Sequence, residues 1–519
     1  MPAPPDPLQL HAAANGDRIA VTVDDFGGAT PSITTYAELN AEVNRLARGF
    51  RSLGAARGDR LVWCGPNSLE VLITIHASRK AGQTAVPLSY RFKADEMQYV
   101  IENSDATLVV VDAEQASLIA TIRDELPKVR EVVVYGGPAP AGFRAWDEVL
   151  AAETDDEPPP DANGAAGASM IYTSGTTGKP KGALRTTSDA ATVMALIGAL
   201  GYRPGEDVHL TTGPLYHSGP LAFATIQHSL GSSVVVLRKF DPRAWLRLVR
   251  EHRITGTFSA PTQLKRIVSL PDADLAAADC SSMQCLIANA APVPFALKQE
   301  VIAKLGDGFL FEVYGSTELG VVTVLRPEDQ LRKPGSCGQP YGGIEVRVVT
   351  EGGAEAATGD PGELFIRTAL AMDGYHRSPE QLAEIDAGEW KSVGDVAYVD
   401  EEGFLYICDR KKDMIISGGV NIYPAEVEAV IFEHHDVLDV AVFGIPDAEW
   451  GESVHAVVQP KPERELDVEA LAAFVDARVA GYKRPRSYEV RAQLPRTDAG
   501  KLLKRVLRDE HWRDRTSAV

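Results

Sequence analysis

Short β-branched runs separated by amphipathic stretches constrain this chain more than any other feature. Arg60-Leu-Val-Trp-Cys64, Ala106-Thr-Leu-Val-Val-Val-Asp112 and Glu131-Val-Val-Val-Tyr135 have the length and make-up of buried strands. Residues 35–53 and 68–81 instead place apolar side chains three and four apart, the period of a helix with a buried face. Strands apolar on both faces and alternating with helices predict parallel sheets covered by helices. The alternation resumes with a helix expected near 190–200, a strand at 232–237 and a helix at 242–252. A strand near 284–288 and a helix from Pro294 follow. Residues 157–169, rich in Pro, Gly and Ala, read as a surface linker between the two blocks.

After about Leu331 the pattern becomes short strands between Gly-rich turns, at 344–349, 362–367 and 403–409, which predicts a small β subdomain. The last hundred or so residues form an α/β pattern with helices near 425–434 and 468–479. The run Lys501-Leu-Leu-Lys-Arg-Val-Leu-Arg508 is expected as a basic amphipathic helix. The fold class is therefore α/β: a large N-terminal domain of two parallel-rich, helix-covered sheets plus a small β subdomain, and a small C-terminal α/β domain. A chain of 519 residues is too long for one core, since single cores stop growing at roughly 250–300 residues. Its net charge of −20 counts against a nucleic-acid partner, which requires a basic stripe. Five cysteines without a CxxC pair read as reduced thiols in a cytoplasmic protein. The N-terminus lacks the pattern of a secretory signal, and the longest nearly apolar stretch, 191–200, is about half of what a bilayer needs. No integral membrane segment is expected.

The strongest local signal is Tyr172-Thr-Ser-Gly-Thr-Thr-Gly-Lys-Pro-Lys-Gly182. Gly175, Gly178 and Gly182 let backbone amides approach a ligand closely. Thr173, Ser174, Thr176 and Thr177 supply hydroxyls, and Lys179 and Lys181 supply charge, a combination suited to a polyphosphate. The familiar nucleotide loop has four residues between its glycines and Ser or Thr after its lysine. Here two residues separate Gly175 from Gly178, and Pro180 stands where it would obstruct a continuing helix. A flexible surface loop is the plainer alternative.

The segment resembles the signature loop of the adenylate-forming enzymes: acyl-CoA synthetases, luciferases and peptide-synthetase adenylation domains. The resemblance continues in order through Tyr216-His217, Tyr314-Gly-Ser-Thr-Glu318, Gly394-Asp395, Asp409-Arg410 and Gly500-Lys501, and so covers nearly the whole chain. It implies an AMP-forming acyl-CoA synthetase using ATP, Mg2+ and, as co-substrate, coenzyme A. It also implies an adenylation domain over residues 1–411 and a small mobile domain over residues 412–519, hinged at Lys412.

By that resemblance, Thr173, Ser174, Gly175, Thr176, Thr177, Gly178 and Lys179 hold the phosphates. Tyr314 stacks on adenine, Thr317 donates to the α-phosphate and Glu318 binds Mg2+, while Gly315 and Ser316 belong to the same ATP/AMP-binding set. Ala288, Asn289 and Ala290 resemble the adenine-lining loop, without the glycine usual near its start. Asp395 and Arg410 match ribose-binding positions; taken singly they would be a turn aspartate and a surface arginine. Lys501 matches the catalytic lysine. A carboxylate attacking the α-phosphate makes a crowded anionic transition state, for which a mobile ammonium is a natural stabiliser. Ser417 and Gly419 resemble the path of the pantetheine arm. Lys411, Lys483, Arg484 and Arg486 are local cations for the 3′-phosphate of CoA.

Tyr216 and His217 match the aromatic–His pair gating the acyl pocket, although a lone His is more often a core residue. Phe223, Gly315 and the segment Phe258-Ser-Ala-Pro-Thr262 would extend that pocket. Amino-acid-activating relatives usually carry an Asp here, whereas Tyr216-His217-Ser218 has no carboxylate. A carboxylic acid without an α-amino group, a fatty acid foremost, is thus the expected substrate. Two alternatives stay open: a fatty acyl-AMP ligase serving a carrier protein, and a non-catalytic ATP-binding relative. A homodimer is a candidate assembly.

Overall fold

The computed structural model describes residues 5–24, 31–159, 167–173, 180–462, 464–497 and 501–512. Among these residues the chain forms four sheets, of eight, nine, six and five strands. The first is centred on Arg60–Cys64, which pairs in parallel with Thr84–Leu88 and Ala106–Asp112, and Glu131–Tyr135 lies beyond. The second runs in parallel from Leu310–Ser316 through Cys285–Ala288, Gly256–Ser259, Val208–Thr211 and Ser233–Val236 to Ile19–Val23. Ile19–Val23 thus joins the second sheet, although the strands that follow it in sequence build the first.

Helices fix how the two sheets meet. Tyr36–Ser52 opens with a capping box, in which the Thr35 hydroxyl accepts from the Glu38 amide and the Glu38 carboxylate accepts from the Thr35 amide. Its apolar face buries Leu39, Val43, Leu46 and Phe50, and Tyr36 donates to the Ser232 carbonyl at 2.7 Å. Leu69–Lys80, capped by Ser68, is buried continuously from Val71 to Ser78. A helix buried all round belongs inside a large core. That core joins Leu61, Trp63 and Val110 of the first sheet to Val21, Val234 and Val236 of the second.

The third sheet is antiparallel, pairing Glu345–Val349 with Gly362–Arg367 and Asp395–Val399 with Leu405–Arg410. The fourth is built on the hairpin Val437–Asp447 and Gly451–Pro460, with Ser487–Val490 added in parallel. Helices Pro424–Phe432, Val468–Asp476 and Lys504–Trp512 accompany it. The architecture is the expected α/β arrangement of a large N-terminal part with two parallel-rich sheets and a smaller C-terminal part. No helix among the described residues is long and apolar enough to cross a membrane.

One local expectation is corrected. The basic helix begins at Lys504 rather than Lys501. Residues 501–503 fold back instead: Thr497 N donates to the Lys501 carbonyl at 2.8 Å, and Leu503 N to the Pro495 carbonyl at 2.9 Å. Leu502 bridges Arg496 in antiparallel fashion. Amphipathic periodicity continues through this hairpin, so it cannot mark where the helix starts.

Candidate active site

The two strands that flank the expected phosphate loop pair with each other. Ala168–Thr173 and Lys181–Arg185 are antiparallel, with Thr173 opposite Lys181. A strand rather than a helix follows Pro180, as its lack of an amide hydrogen favours. Ser174, Gly175, Thr176, Thr177, Gly178 and Lys179 lie outside the described residues. Thr173 is described, and its hydroxyl reaches Glu318 Oε1 at 3.4 Å.

A crevice of about 2860 Å³ opens beside this hairpin and extends to the C-terminal lobe. Its walls include the segments that leave the carboxyl ends of the second sheet's strands: Gly213 after Val208–Thr211, Ala260 after Gly256–Ser259, and Asn289 after Cys285–Ala288. Open α/β sheets offer their ligand crevices at such ends, because the loops there diverge. Asn289 and Ala290 line the crevice, whereas Ala288 is fully buried at the end of its strand. Ala290 has φ 79°, a left-handed conformation that a residue with a Cβ adopts only at a cost of about 1–2 kcal/mol. The amide of Asn289 donates to the Val313 carbonyl through its side chain, tying this turn to the next strand.

Tyr314, Gly315 and Ser316 end the strand Leu310–Ser316, which returns as Gly320–Leu325. The motif therefore lies at a turn between antiparallel strands. Gly315 is obligatory there, since a Cβ would lie 2.2 Å from the Gly320 carbonyl oxygen. The turn is held from several sides. Ser218 and Thr317 share a hydrogen bond of 3.1 Å, Arg185 donates to the Thr317 carbonyl at 3.0 Å, and Tyr375 donates to Glu318 Oε1 at 2.9 Å.

Asp395 and Arg410 face each other across the antiparallel pair of the third sheet. Arg410 Nε lies 3.2 Å from Asp395 Oδ1, and the Tyr314 hydroxyl donates to Oδ2 at 2.5 Å. Burial and the Asp395 carboxylate push the Tyr314 phenol well above its ordinary value, so it acts as a hydrogen-bond donor. Tyr314, Asp395 and Arg410 thus form one hydrogen-bonded unit.

Lys501 enters the same crevice from the C-terminal lobe. The hairpin that carries it is anchored by Arg496, whose guanidinium grips Asp439 at 2.6 and 2.7 Å. Just beyond, Lys504 pairs with Glu428 at 2.8 Å. The Lys501 side chain stays reachable by water inside the crevice, yet the surrounding walls crowd it. Desolvation, with Arg410 and Lys412 adding repulsion, brings its pKa down to about 8, while Glu318 and Asp395 oppose the shift. Desolvation and Arg410 likewise lower Lys412. Lys412 sits in the turn between Leu405–Arg410 and Ile415–Ser417, where its carbonyl accepts from Arg508 at 3.4 Å.

Tyr216 and His217 are neighbours at the start of the helix Ser218–Ser229, with ring centroids 4.5 Å apart. Tyr90 meets Tyr216 edge-on at 5.7 Å, and Phe223 stacks on Phe258 at 5.5 Å. All of these except Tyr90 line the crevice. Gly219 makes room for Phe258, whose ring carbon would be 2.7 Å from a Cβ at that position.

Ser417 and Gly419 do not line the crevice in this arrangement. They belong to the hairpin Ile415–Ser417 and Val420–Ile422, where Gly418 N donates to the Trp450 carbonyl at 2.8 Å. Three of the four proposed CoA cations are engaged elsewhere: Lys411 with Glu363, Lys483 with Glu426 and Arg484 with Asp476. Arg486 lies over the Trp450 ring at 4.9 Å. The residues that sequence reasoning missed are Arg185 and Tyr375, which support Thr317 and Glu318. Arg185 lies past the end of the loop motif, on the strand Lys181–Arg185, and Tyr375 reaches the site because Gly374–Tyr375 leaves its sequence neighbours to pair with that strand.

The model of the AMP-binding enzyme family matches residues 8–376, and that of the AMP-binding enzyme C-terminal domain matches residues 426–501. A feruloyl-CoA synthase from an Amycolatopsis species is 36% identical over 478 residues, 91% of this chain and 93% of that protein. The fatty acid–[acyl-carrier-protein] ligase ScoC of Streptomyces coeruleorubidus is 32% identical over 495 residues, 93% of each chain. The crystal structure of ATP-bound MatB from Rhodopseudomonas palustris superposes with a TM-score of 0.84 at 28% identity, covering 98% of this chain and 99% of that one.

Proposed function

The chain belongs to the AMP-binding enzyme family of adenylate-forming enzymes, and on that basis we propose an ATP-dependent acyl-CoA synthetase acting on a carboxylic acid without an α-amino group. In the first step a carboxylate oxygen bonds to the α-phosphorus of ATP and pyrophosphate leaves. In the second, the CoA sulfur attacks the acyl carbon, its proton goes to solvent and AMP leaves. The observation that carries this reading is the convergence of Lys501 with Thr317, Glu318 and the Asp395–Arg410 pair on one crevice.

Each residue then has a role that its surroundings favour. Asp395, already oriented by Arg410 and Tyr314, accepts from the ribose hydroxyls. Thr317, held by Ser218 and Arg185, donates to the α-phosphate. Lys501 brings positive charge to the oxygens that crowd the attacked phosphorus. The hard oxygens of Glu318 and Thr173 fit Mg2+, which commonly takes one or two carboxylates and completes its shell with substrate phosphates and water. Bound there, the ion would neutralise phosphate charge. Tyr216, His217, Phe223 and Phe258 would surround the acyl group, a lining suited to fatty or aryl acids.

Residues 1–411 and 412–519 would act as two domains turning about Lys412, so that Lys501 serves the first step. The lobe would then swing to bring Ser417 and Gly419 to the thiol path. Ser417 and Gly419 lie outside the crevice lining here, and such a rotation would bring them to it. Pyrophosphate exchange into ATP, screened over fatty, aryl and steroid-type acids and followed by AMP release with and without CoA, tests the proposal. The carrier-protein ligase among the relatives favours one second reading. AMP release that needs a phosphopantetheinylated carrier and ignores free CoA would select it.

A further inference from the structure

The C-terminal lobe holds a group of side chains that the crevice chemistry leaves unused. His455 on Gly451–Pro460, Glu489 on Ser487–Val490 and His511 on Lys504–Trp512 bring one ligand atom each to within 4.8 Å of the others. The two strands are parallel with His455 opposite Ser487, so Glu489, two residues on, shares that face. His455 is 5% exposed, and its Nδ1 lies 2.6 Å from Ser487 Oγ. With Nδ1–H donating there, Nε2 presents a lone pair. Among the described residues Nε2 has no hydrogen-bond partner, although it is buried; Glu489 Oε2 lies beyond bonding distance at 3.7 Å. A buried polar atom without a partner demands an explanation.

We propose that His455 Nε2, His511 and Glu489 form a binding site for one divalent transition-metal ion, with zinc the best match. Two imidazoles and a carboxylate, with water in the fourth position, are a familiar zinc donor set. The Ser487 contact supplies the outer hydrogen bond that sets the tautomer and ring orientation of a ligating His. Arg491 is the opposing charge. It binds Glu489 Oε1 at 2.5 Å and Glu510 at 2.6 Å, so two carboxylates outweigh one guanidinium and leave room for a cation. Donors about 2.0–2.2 Å from zinc stand roughly 3.4 Å apart, inside the 4.8 Å within which these three ligand atoms lie, so ligation would draw the groups together. Metal binding would thereby pin the terminal helix to the sheet. That helix also holds Lys504 on Glu428 and Arg508 on the Lys412 carbonyl, so it steadies the hairpin that carries Lys501.

The test uses the full-length protein, treated with EDTA, desalted and free of nucleotide. Titration with Co2+ is followed by visible absorption, and Zn2+ by calorimetry and thermal melting. The expected result is one equivalent bound with a raised melting temperature, and affinity about tenfold or more weaker in His511→Ala and in Glu489→Gln. His435→Ala breaks up the other candidate group of the lobe, His434–His435–Asp436, and leaves binding at this site unchanged. Zinc also shields His511 from diethyl pyrocarbonate in the wild-type protein, which decides the matter if a variant does not fold. Absence of stoichiometric uptake, uptake unaltered in His511→Ala, loss in His435→Ala, or an unprotected His511 each overturns the proposal.

Discussion

The environment of Lys501 makes a prediction about pH that a mere surface lysine would not. Desolvation and the nearby Arg410 and Lys412 hold its pKa at about 8 in the free enzyme. The active form is the ammonium, so raising the pH through 8 removes the required charge. At pH 7 about nine-tenths of the lysine is protonated and at pH 9 about one-tenth, from the one-proton titration law. In the pyrophosphate-exchange assay, kcat/KM for ATP should therefore fall about tenfold per pH unit above 8, since that ratio reports the free enzyme. ATP brings four negative charges beside the lysine and raises its pKa, so kcat should hold to a higher pH. Lys501→Ala should lower exchange by about 10²–10³-fold, the loss typical of one preorganised transition-state donor, and should abolish this limb. Lys501→Arg, which stays charged throughout, should flatten it. Thioester formation from supplied acyl-adenylate should change little in either variant. A wild-type profile flat from pH 7.5 to 9.5 would refute the reasoning, as would an alkaline limb that persists in Lys501→Ala.

Two further substitutions probe the hinge and the acyl wall. Among the described residues no backbone bond runs from the Lys412 amide, so Lys412→Pro fixes φ without removing a bond seen here. Exchange should survive and thioester formation should drop at least about 10²-fold, as expected of a conformational step; equal loss of both half-reactions, measured separately, would exclude rotation at this point. Gly219→Leu must displace Phe258, and the exchange screen should then shift toward shorter or smaller acids by about tenfold or more in kcat/KM. An unchanged acid profile would remove Phe258 and Gly219 from the acyl pocket.

Legibility from sequence followed the range of the forces involved. The strands Arg60–Cys64, Ala106–Asp112 and Glu131–Tyr135 and the helix Tyr36–Ser52 are dictated by local periodicity and capping, so they could be read directly, whereas Leu69–Lys80 is buried all round and not on the one face its spacing suggested. The Gly- and Ser/Thr-rich motifs could be read because tight turns and close ligand approach admit few residue types, as Gly315 illustrates. The start of the terminal helix could not, because the hairpin bond between Thr497 and Lys501 outweighs the helical periodicity there. Which sheet receives Ile19–Val23, and that Gly374–Tyr375 crosses to support Glu318, depend on pairings between segments distant in sequence. The same holds for the site. Sequence named Tyr314, Asp395, Arg410 and Lys501 one motif at a time. Only packing could bring a lysine near the end of the chain beside Arg410 and Lys412, because desolvation and charge repulsion arise from neighbours in space rather than along the backbone.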